Sequence, residues 1–150
     1  MRWGEVAWRL SRFLVVLWAI PFLMSGIIGV LDPGASDSEP QPHGLEDRLY
    51  EALFVLVSIL WILSPRFTIR HGLERAAIVL LILVPSILVA ISVFQAREDL
   101  ALFGVEYLRR APWPLRHRPL PFVVFFGLPS AATIVQTVIA MKERPDSTQP

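Results

Sequence analysis

Three residues with metal-binding side chains lie close together near the start of a predicted helix: His43, Glu46 and Asp47. Because His43 and Glu46 are about one helical turn apart, an imidazole nitrogen and a carboxylate oxygen could face the same ion. Carboxylate-rich metal sites in helical bundles, however, draw their ligands from several helices. A solvated helix start therefore explains this cluster better than a metal site does, and we expect no cofactor.

A second candidate group is the polar stripe Thr133, Gln136 and Thr137, which interrupts an apolar stretch. Spacings of three and four residues place these side chains on one face of a helix. Such a face could line a narrow pore formed by several copies of the chain. It could also supply hydrogen bonds between helices, which is the commoner use of such residues in membranes, and the sequence favours that second interpretation.

The rest of the sequence excludes or leaves unsupported several other classes of chemistry. The chain has no cysteine, which rules out disulfides, thiolate catalysis and cysteine-based metal sites. Its three histidines fall in predicted loops, and no apolar stretch carries an ionisable residue near its middle, although proton-coupled transporters generally need one. The net charge of +1 gives nucleic-acid binding no support. We therefore expect a protein that is not an enzyme.

Four long apolar stretches predict the elements that carry these residues. The chain has 150 residues, 54% of them hydrophobic, and its mean hydropathy is +0.54, which is too apolar for an average soluble domain. The stretches cover residues 13–31, 47–64, 76–96 and 120–141. At 1.5 Å per residue each approaches the hydrocarbon thickness of about 30 Å. The stretch 47–64 has charges near its start, so a re-entrant or interfacial segment is its alternative.

These stretches predict the fold class. We expect an all-α integral membrane protein in which residues 1–150 form a single membrane domain, built as a compact bundle of four transmembrane helices. Residues 32–46 form a polar loop rich in proline, and residues 143–150 form a polar tail that is predicted to be disordered.

The segment 97–119 connects the third and fourth predicted spans. Leu100, Phe103 and Tyr107 recur on one helical face and predict a short amphipathic helix that lies in the membrane interface. The segment is also basic, and four of its side chains are candidates for contact with anionic lipid headgroups or an acidic partner: Arg109, Arg110, Arg116 and Arg118. A solvated basic loop is an equally good interpretation.

Small residues predict where the helices pack. Lipid tails are as apolar as leucine, so membrane helices associate largely through close backbone approach at small side chains. Three predicted spans carry small residues four positions apart: Ser25 and Gly29, Ser86 and Ala90, and Gly127 and Ala131. We expect these faces to point inward and to pack the bundle. An interface with another subunit, or with a second copy of the chain, is the alternative.

Prolines lie near the middle of three predicted spans, at Pro21, Pro85 and Pro129. Each removes one backbone hydrogen bond and predicts a kink. Ser86 and Ser130 directly follow two of these prolines and Ser25 lies one turn after Pro21. Their hydroxyls could therefore bond the carbonyl oxygens that the prolines leave without a donor.

Location and function are predicted from charge and from what the sequence lacks. With four spans and the N-terminus inside, the inner segments hold eight lysines and arginines and the outer segments hold six. The loop 32–46 has none, but the segment 97–119 has five arginines and contradicts the rule, so the charge distribution favours both termini in the cytoplasm only by a narrow margin. The preference for arginine over lysine indicates a bacterial protein, hence the inner membrane. We expect a non-enzymatic structural, accessory or assembly subunit that contacts lipids and other membrane subunits or itself. A small oligomeric channel lined by the fourth helix is the alternative.

Overall fold

The computed structural model describes residues 3–31, 45–110 and 119–143. Within these ranges every regular element is an α-helix, which confirms the prediction of an all-α protein. The helices are α1 (Trp3–Leu31), α2 (Leu45–Ile62), α3 (Pro65–Arg70), α4 (Glu74–Arg110) and α5 (Pro119–Lys142). Three of them contain stretches long and apolar enough to cross a membrane: Gly4–Leu31, Glu74–Leu102 and Pro119–Lys142. The fourth span predicted over residues 47–64 is not among these three.

Helix α1 begins at Trp3, well before the apolar stretch that starts at residue 13. Glu5 and Arg9 stabilise this early part, because they lie one turn apart and form an exposed salt bridge. A run of uncharged residues marks where a chain enters hydrocarbon, whereas a helix also tolerates charged residues in water. The sequence therefore placed the start of the apolar segment and missed the start of the helix.

Helix α4 differs from the prediction in the same way at its far end. It continues through Arg97 to Arg110, so the stretch predicted as a separate amphipathic helix is the last part of α4. The helical conformation breaks only at Gly104, with φ 71° and ψ 177°, a backbone region that is essentially restricted to glycine. The chain can therefore change direction at Gly104, close to the end of the candidate span.

Helix α2 runs antiparallel to α1. Near one end of the pair, Gly26 of α1 lies against Phe54 and Val55 of α2. Near the other end, the guanidinium of Arg12 donates a hydrogen bond to the carbonyl oxygen of Ile62, the last residue of α2. The 18 residues of α2 give a length of about 27 Å.

A short helix, α3, connects α2 to α4. Proline has no N–H to donate and fits the first turn of a helix, so Pro65 both ends α2 and begins α3. The hydroxyl of Thr68 donates to the carbonyl oxygen of Pro65, at 2.8 Å. Gly72 adopts a positive φ of 66° and turns the chain into α4.

Aromatic side chains form the centre of the bundle. Phe126 of α5 is 1% exposed, and its ring centroid lies 5.2 Å from that of Phe22, 5.1 Å from Phe54 and 5.7 Å from Trp61. These contacts join α1, α2 and α5 in the edge-to-face and tilted geometries that aromatic rings prefer. Many apolar side chains point outward instead, as expected for helices that face lipid tails.

The start of α1, helix α3 and the residue after α5 lie at one end of the molecule. Gly4, Arg66 and Glu143 line the same cavity. We call this end the α3 end. The beginning of α1 and the end of α5 therefore lie at the same end of the bundle.

Candidate functional site

A cleft runs between the first half of α1 and the second half of α5, starting at the α3 end. Its larger part is a cavity of about 860 Å³, and a smaller cavity of about 280 Å³ adjoins it between α3 and α5. Both are lined by Arg66 and Glu143, so the two cavities adjoin at these residues. We call the two together the α1–α5 cleft. Its larger part falls in the size range of small-molecule sites.

Gln136 is the buried polar side chain that lines this cleft. It is 4% exposed, and its Nε2 donates to the hydroxyl oxygen of Ser11 at 2.7 Å. The Ser11 hydroxyl in turn donates to the carbonyl oxygen of Trp8 at 2.9 Å. The Oε1 atom of Gln136 is buried and has no hydrogen-bond partner in the described part of the chain.

Thr133 and Thr137 flank Gln136 in sequence but do not line the cleft. Both are buried, at 3% and 1% exposure. Their hydroxyls bond the carbonyl oxygens one turn earlier in α5, those of Pro129 and Thr133, at 2.8 Å each. Both hydroxyl protons are therefore used within α5, and of the predicted polar stripe only Gln136 presents a free polar atom. Pore lining by these residues stays a prediction.

Four of the predicted packing residues lie on the outside of this chain: Ser25, Ser86, Ala90 and Ala131 are exposed. They do not pack the bundle from within, as the sequence led us to expect. Of the other two, a Cβ built at Gly127 would meet nothing within 4 Å. Only Gly29 makes a close interhelical contact, with the side chain of Glu51.

A close approach of α1 to the backbone of α2 lies at Gly26, which the sequence analysis missed. A Cβ at this position would lie 3.1 Å from the backbone oxygen of Glu51. The search for small residues four positions apart selected Ser25 and Gly29, whereas the contact uses glycines three positions apart. A search at both spacings finds Gly26.

The carbonyl freed by Pro129 is bonded by another helix. Pro129 has no N–H, so the carbonyl oxygen of Phe125 loses its helical donor. The indole Nε1 of Trp18 in α1 donates to that oxygen at 3.1 Å. The neighbouring Ser130 hydroxyl instead accepts from Nε1 of the buried Trp61, at 3.0 Å. The expectation that Ser130 bonds the freed carbonyl is therefore wrong, and the bond joins α1 to α5.

At the second proline, the Ser86 hydroxyl donates to the carbonyl oxygen of Ile82 at 2.7 Å. The carbonyl freed by Pro85 is the one four residues earlier, that of Leu81. The expectation for Ser86 is therefore wrong as well. Its hydroxyl is nevertheless satisfied within α4, so the exposed side chain presents no unpaired donor to lipid.

The remaining candidates concern metal and headgroup binding. His43 and the side chains of Glu46 and Asp47 lie outside the described residues, as do the four candidate arginines: Arg109 and Arg110 by their side chains, Arg116 and Arg118 entirely. No group of three or more metal-ligating side chains occurs among the residues that are described. The metal and headgroup hypotheses for these residues therefore stay predictions.

Arg12 is a functional candidate that sequence reasoning overlooked, because it stands just before the first apolar stretch. It donates to the carbonyl oxygen of Ile62 and so places a positive charge at the C-terminal end of α2, where the helix dipole favours it. Its Nη1 is buried without a hydrogen-bond partner among the described residues. An arginine at the edge of a span is the signal that could have identified this contact.

Comparisons of the chain with protein-family models, with curated proteins and with solved structures give no match.

Proposed function

We propose that the chain spans the membrane four times, with α2 as the additional span. The support is its position beside α1, between the contacts at Gly29 and at Arg12. Four of the first seven residues of α2 are charged, which is why its composition alone does not indicate a span. Three of them, Glu46, Asp47 and Arg48, lie in the first turn, where headgroups and water can solvate them.

Within this arrangement we infer a non-enzymatic structural, accessory or assembly subunit that acts through its helix faces. The observation that carries this proposal is the outer face of α4. Leu81, Leu88 and Ser92 point into the bundle, whereas Ser86 and Ala90 are exposed. At 100° per residue, each of the latter two lies about 160° around the helix from Leu88.

Ser86 and Ala90, two small residues four positions apart, therefore have no partner helix in the described bundle and lie at the centre of an outward apolar face. Val79, Ile82 and Val93 are exposed on the same side of α4. In membranes such a pair lets a second helix approach closely, and the packing of backbones and side chains then drives association. Because the Ser86 hydroxyl is already bonded to Ile82, this face can contact either lipid or protein without an unpaired polar group.

Purification in a mild detergent tests this proposal. We expect a stoichiometric complex, either with another membrane subunit or between copies of the chain. Ala90→Leu fills the small-residue face and should dissociate the complex, whereas Ala52→Leu, at an exposed alanine of α2, should leave it intact. A monodisperse monomer from native membranes, or equal behaviour of the two variants, would refute the interface.

A small oligomeric channel is the second candidate, because Gln136 lines the α1–α5 cleft and its amide oxygen has no hydrogen-bond partner among the described residues. If several copies bring their clefts together, these amides would line a shared passage. Flux of ions and small solutes through reconstituted liposomes tests the idea. We expect Gln136→Leu to abolish any flux, and liposomes that stay impermeable with the native chain would eliminate the hypothesis.

We also propose the bacterial inner membrane as the location, with the α3 end in the cytoplasm. Counted along the sequence, the segments assigned to this end carry eight lysines and arginines, Arg66, Arg70 and Arg75 among them, and the opposite segments carry six, five of them in 97–119. Positive charge near the ends of membrane helices is typical of cytoplasmic segments.

A further inference from the structure

The α1–α5 cleft changes character along its length. At the α3 end its lining is charged, with Arg66, Arg70 and Glu143. Further along α5 the lining becomes small and apolar, at Val135 and Ala131. From Glu143 to Ala131 the helix rises about 18 Å, which is close to the depth of one leaflet, about 15 Å of hydrocarbon, with part of its headgroup layer. These dimensions fit an amphiphile that stands upright in one leaflet.

The charges at the α3 end fit a headgroup that carries both signs. Arg66 and Arg70 lie one turn apart on α3, are exposed, and form no ion pair within the described residues. Guanidinium groups bind phosphate through paired, charge-assisted hydrogen bonds. Glu143 lines the cleft beside Arg66 and offers a carboxylate to a primary ammonium. A purely anionic headgroup would meet like charge at Glu143.

Deeper in the cleft, Gln136 requires a hydrogen-bond donor. The Ser11 hydroxyl gives its single proton to the carbonyl oxygen of Trp8, so towards Gln136 it can only accept. This fixes Nε2 of Gln136 on Ser11 and leaves Oε1 buried without a partner in the described part of the chain. A buried acceptor without a donor is unfavourable. Oε1 has less than 1 Å² of accessible surface, so the Gln136 side chain must shift slightly to expose it, and a ligand hydroxyl at this depth then gains affinity.

We propose that the α1–α5 cleft binds a single-chain phospholipid with a phosphoethanolamine headgroup. Its phosphate lies on Arg66 and Arg70, and its ammonium lies at Glu143. Its free glycerol hydroxyl donates to Oε1 of Gln136, and its one acyl chain follows the apolar side of α5. A diacyl phospholipid carries an ester in place of that hydroxyl and offers Gln136 only acceptors. This site is distinct from the face of α4 that carries the proposed accessory function, so either proposal can fail without the other.

A pair of ligands that differ by one hydroxyl tests this proposal. The full chain is purified in a maltoside detergent free of phospholipid. It is then titrated with lysophosphatidylethanolamine and with its 2-deoxy analogue, a 1-acyl-propane-1,3-diol phosphoethanolamine of equal chain length that lacks only the glycerol hydroxyl. Binding is read by native mass spectrometry. We expect the hydroxyl to raise affinity about tenfold. Diacyl phosphatidylethanolamine and lysophosphatidylglycerol should bind more weakly than lysophosphatidylethanolamine.

Two sets of variants locate the contacts. Gln136→Leu should reduce the tenfold preference for the hydroxyl to about one, because the acceptor is gone. The double substitution Arg66→Gln and Arg70→Gln should weaken both ligands about tenfold or more. Arg75→Gln, at an exposed arginine of α4 outside the lining, is the matched control and should change neither affinity.

Three results would overturn the proposal: equal affinity for the two ligands, diacyl lipid binding as tightly as the single-chain lipid, or a hydroxyl preference that persists in Gln136→Leu. If Gln136→Leu does not fold, the ligand pair on the native chain decides the question alone. Equal effects of the Arg75 substitution and the double substitution would show that only general surface charge attracts the lipid.

Discussion

Replacing Gly26 by alanine probes the close approach of α1 and α2. A Cβ at this position lies 2.9 Å from Cγ2 of Val55, and 3.1 Å from both the carbonyl oxygen of Glu51 and Cβ of Phe54. Two of these three atoms move only with the backbone of α2, and the third belongs to a β-branched side chain with a stiff χ1. No single rotamer change can make room, so the two helices must separate by several tenths of an ångström.

The expected magnitude combines two opposing effects. Overpacking a well-packed contact costs about 1–3 kcal/mol, whereas replacing glycine by alanine inside a helix gains about 0.8–1 kcal/mol. Gly26→Ala should therefore lower the free energy of unfolding by about 0–2 kcal/mol. Gly127→Ala is the matched control, because its Cβ meets nothing within 4 Å. It should show only the helix gain, so the two variants should differ by about 1–3 kcal/mol.

Gly29→Ala should fall between these two variants. Its Cβ would lie 2.6 Å from Cγ and Cδ of Glu51, but these atoms belong to a flexible side chain that can turn aside. The assay is unfolding in mixed micelles by increasing mole fractions of sodium dodecyl sulfate, followed by far-ultraviolet circular dichroism. If Gly26→Ala proves as stable as Gly127→Ala, α1 and α2 do not approach this closely, and the proposed fourth span loses its main support.

Three further predictions concern a hydrogen bond, a helix break and the membrane orientation. Ser130→Ala leaves Nε1 of Trp61 buried without its acceptor and should lower the free energy of unfolding by about 1–3 kcal/mol in the same titration. Ser86→Ala, at an exposed serine, is the control and should change it by less than about 0.5 kcal/mol. Gly104→Ala places a side chain at a φ of 71° and should lower the free energy of unfolding by about 1–3 kcal/mol. If α4 straightens instead, the distance between spin labels on cysteines introduced either side of Gly104 should increase. Leu73→Cys, at a position 46% exposed in a chain without native thiols, should react with an impermeant maleimide only from the cytoplasmic side, and labelling of intact cells from outside would reverse the proposed orientation.

Sequence reasoning identified the long membrane helices and several of their ends, but not the start of α1 or the end of α4. The apolar runs within α1, α4 and α5 were predicted because hydrocarbon demands about 20 apolar residues in a row. The helix boundaries are set differently, by capping, proline and glycine. Gly104, which breaks α4, shows this clearly, because it marks no edge of hydropathy that a search for uncharged runs would select.

The packing faces were harder to predict for a physical reason. In a soluble protein the buried face of a helix is apolar and the opposite face is polar. In α4, Leu81 is 2% exposed and the next residue, Ile82, is 57% exposed, yet hydropathy does not distinguish them. Lipid and protein interior are similar solvents for such side chains. Which side of each helix faces the protein is therefore determined by the shapes of side chains and by isolated polar groups. Their roles can be recognised only once the neighbouring helix is known.

Gln136 and Trp18 illustrate how such polar groups act. The sequence marked Gln136 as notable, because an amide is costly in hydrocarbon and needs a partner. Its actual partner, Ser11, lies outside the predicted first span and so was not considered. The bond from Trp18 to the carbonyl oxygen of Phe125 depends on a proline four residues later in another helix. Both contacts follow from simple rules, but only after α1 and α5 are placed side by side.

The two halves of the bundle are held by different forces, and this decides where a ligand can enter. Away from the α3 end, aromatic rings around Phe126 pack α1, α2 and α5 together. Separating these helices would break many contacts at once. Towards the α3 end, individual hydrogen bonds of Arg12 and Gln136 connect the helices beside an open cleft. Because single hydrogen bonds contribute only about 1 kcal/mol each, this half can adjust to an occupant while the aromatic half keeps the helices in register.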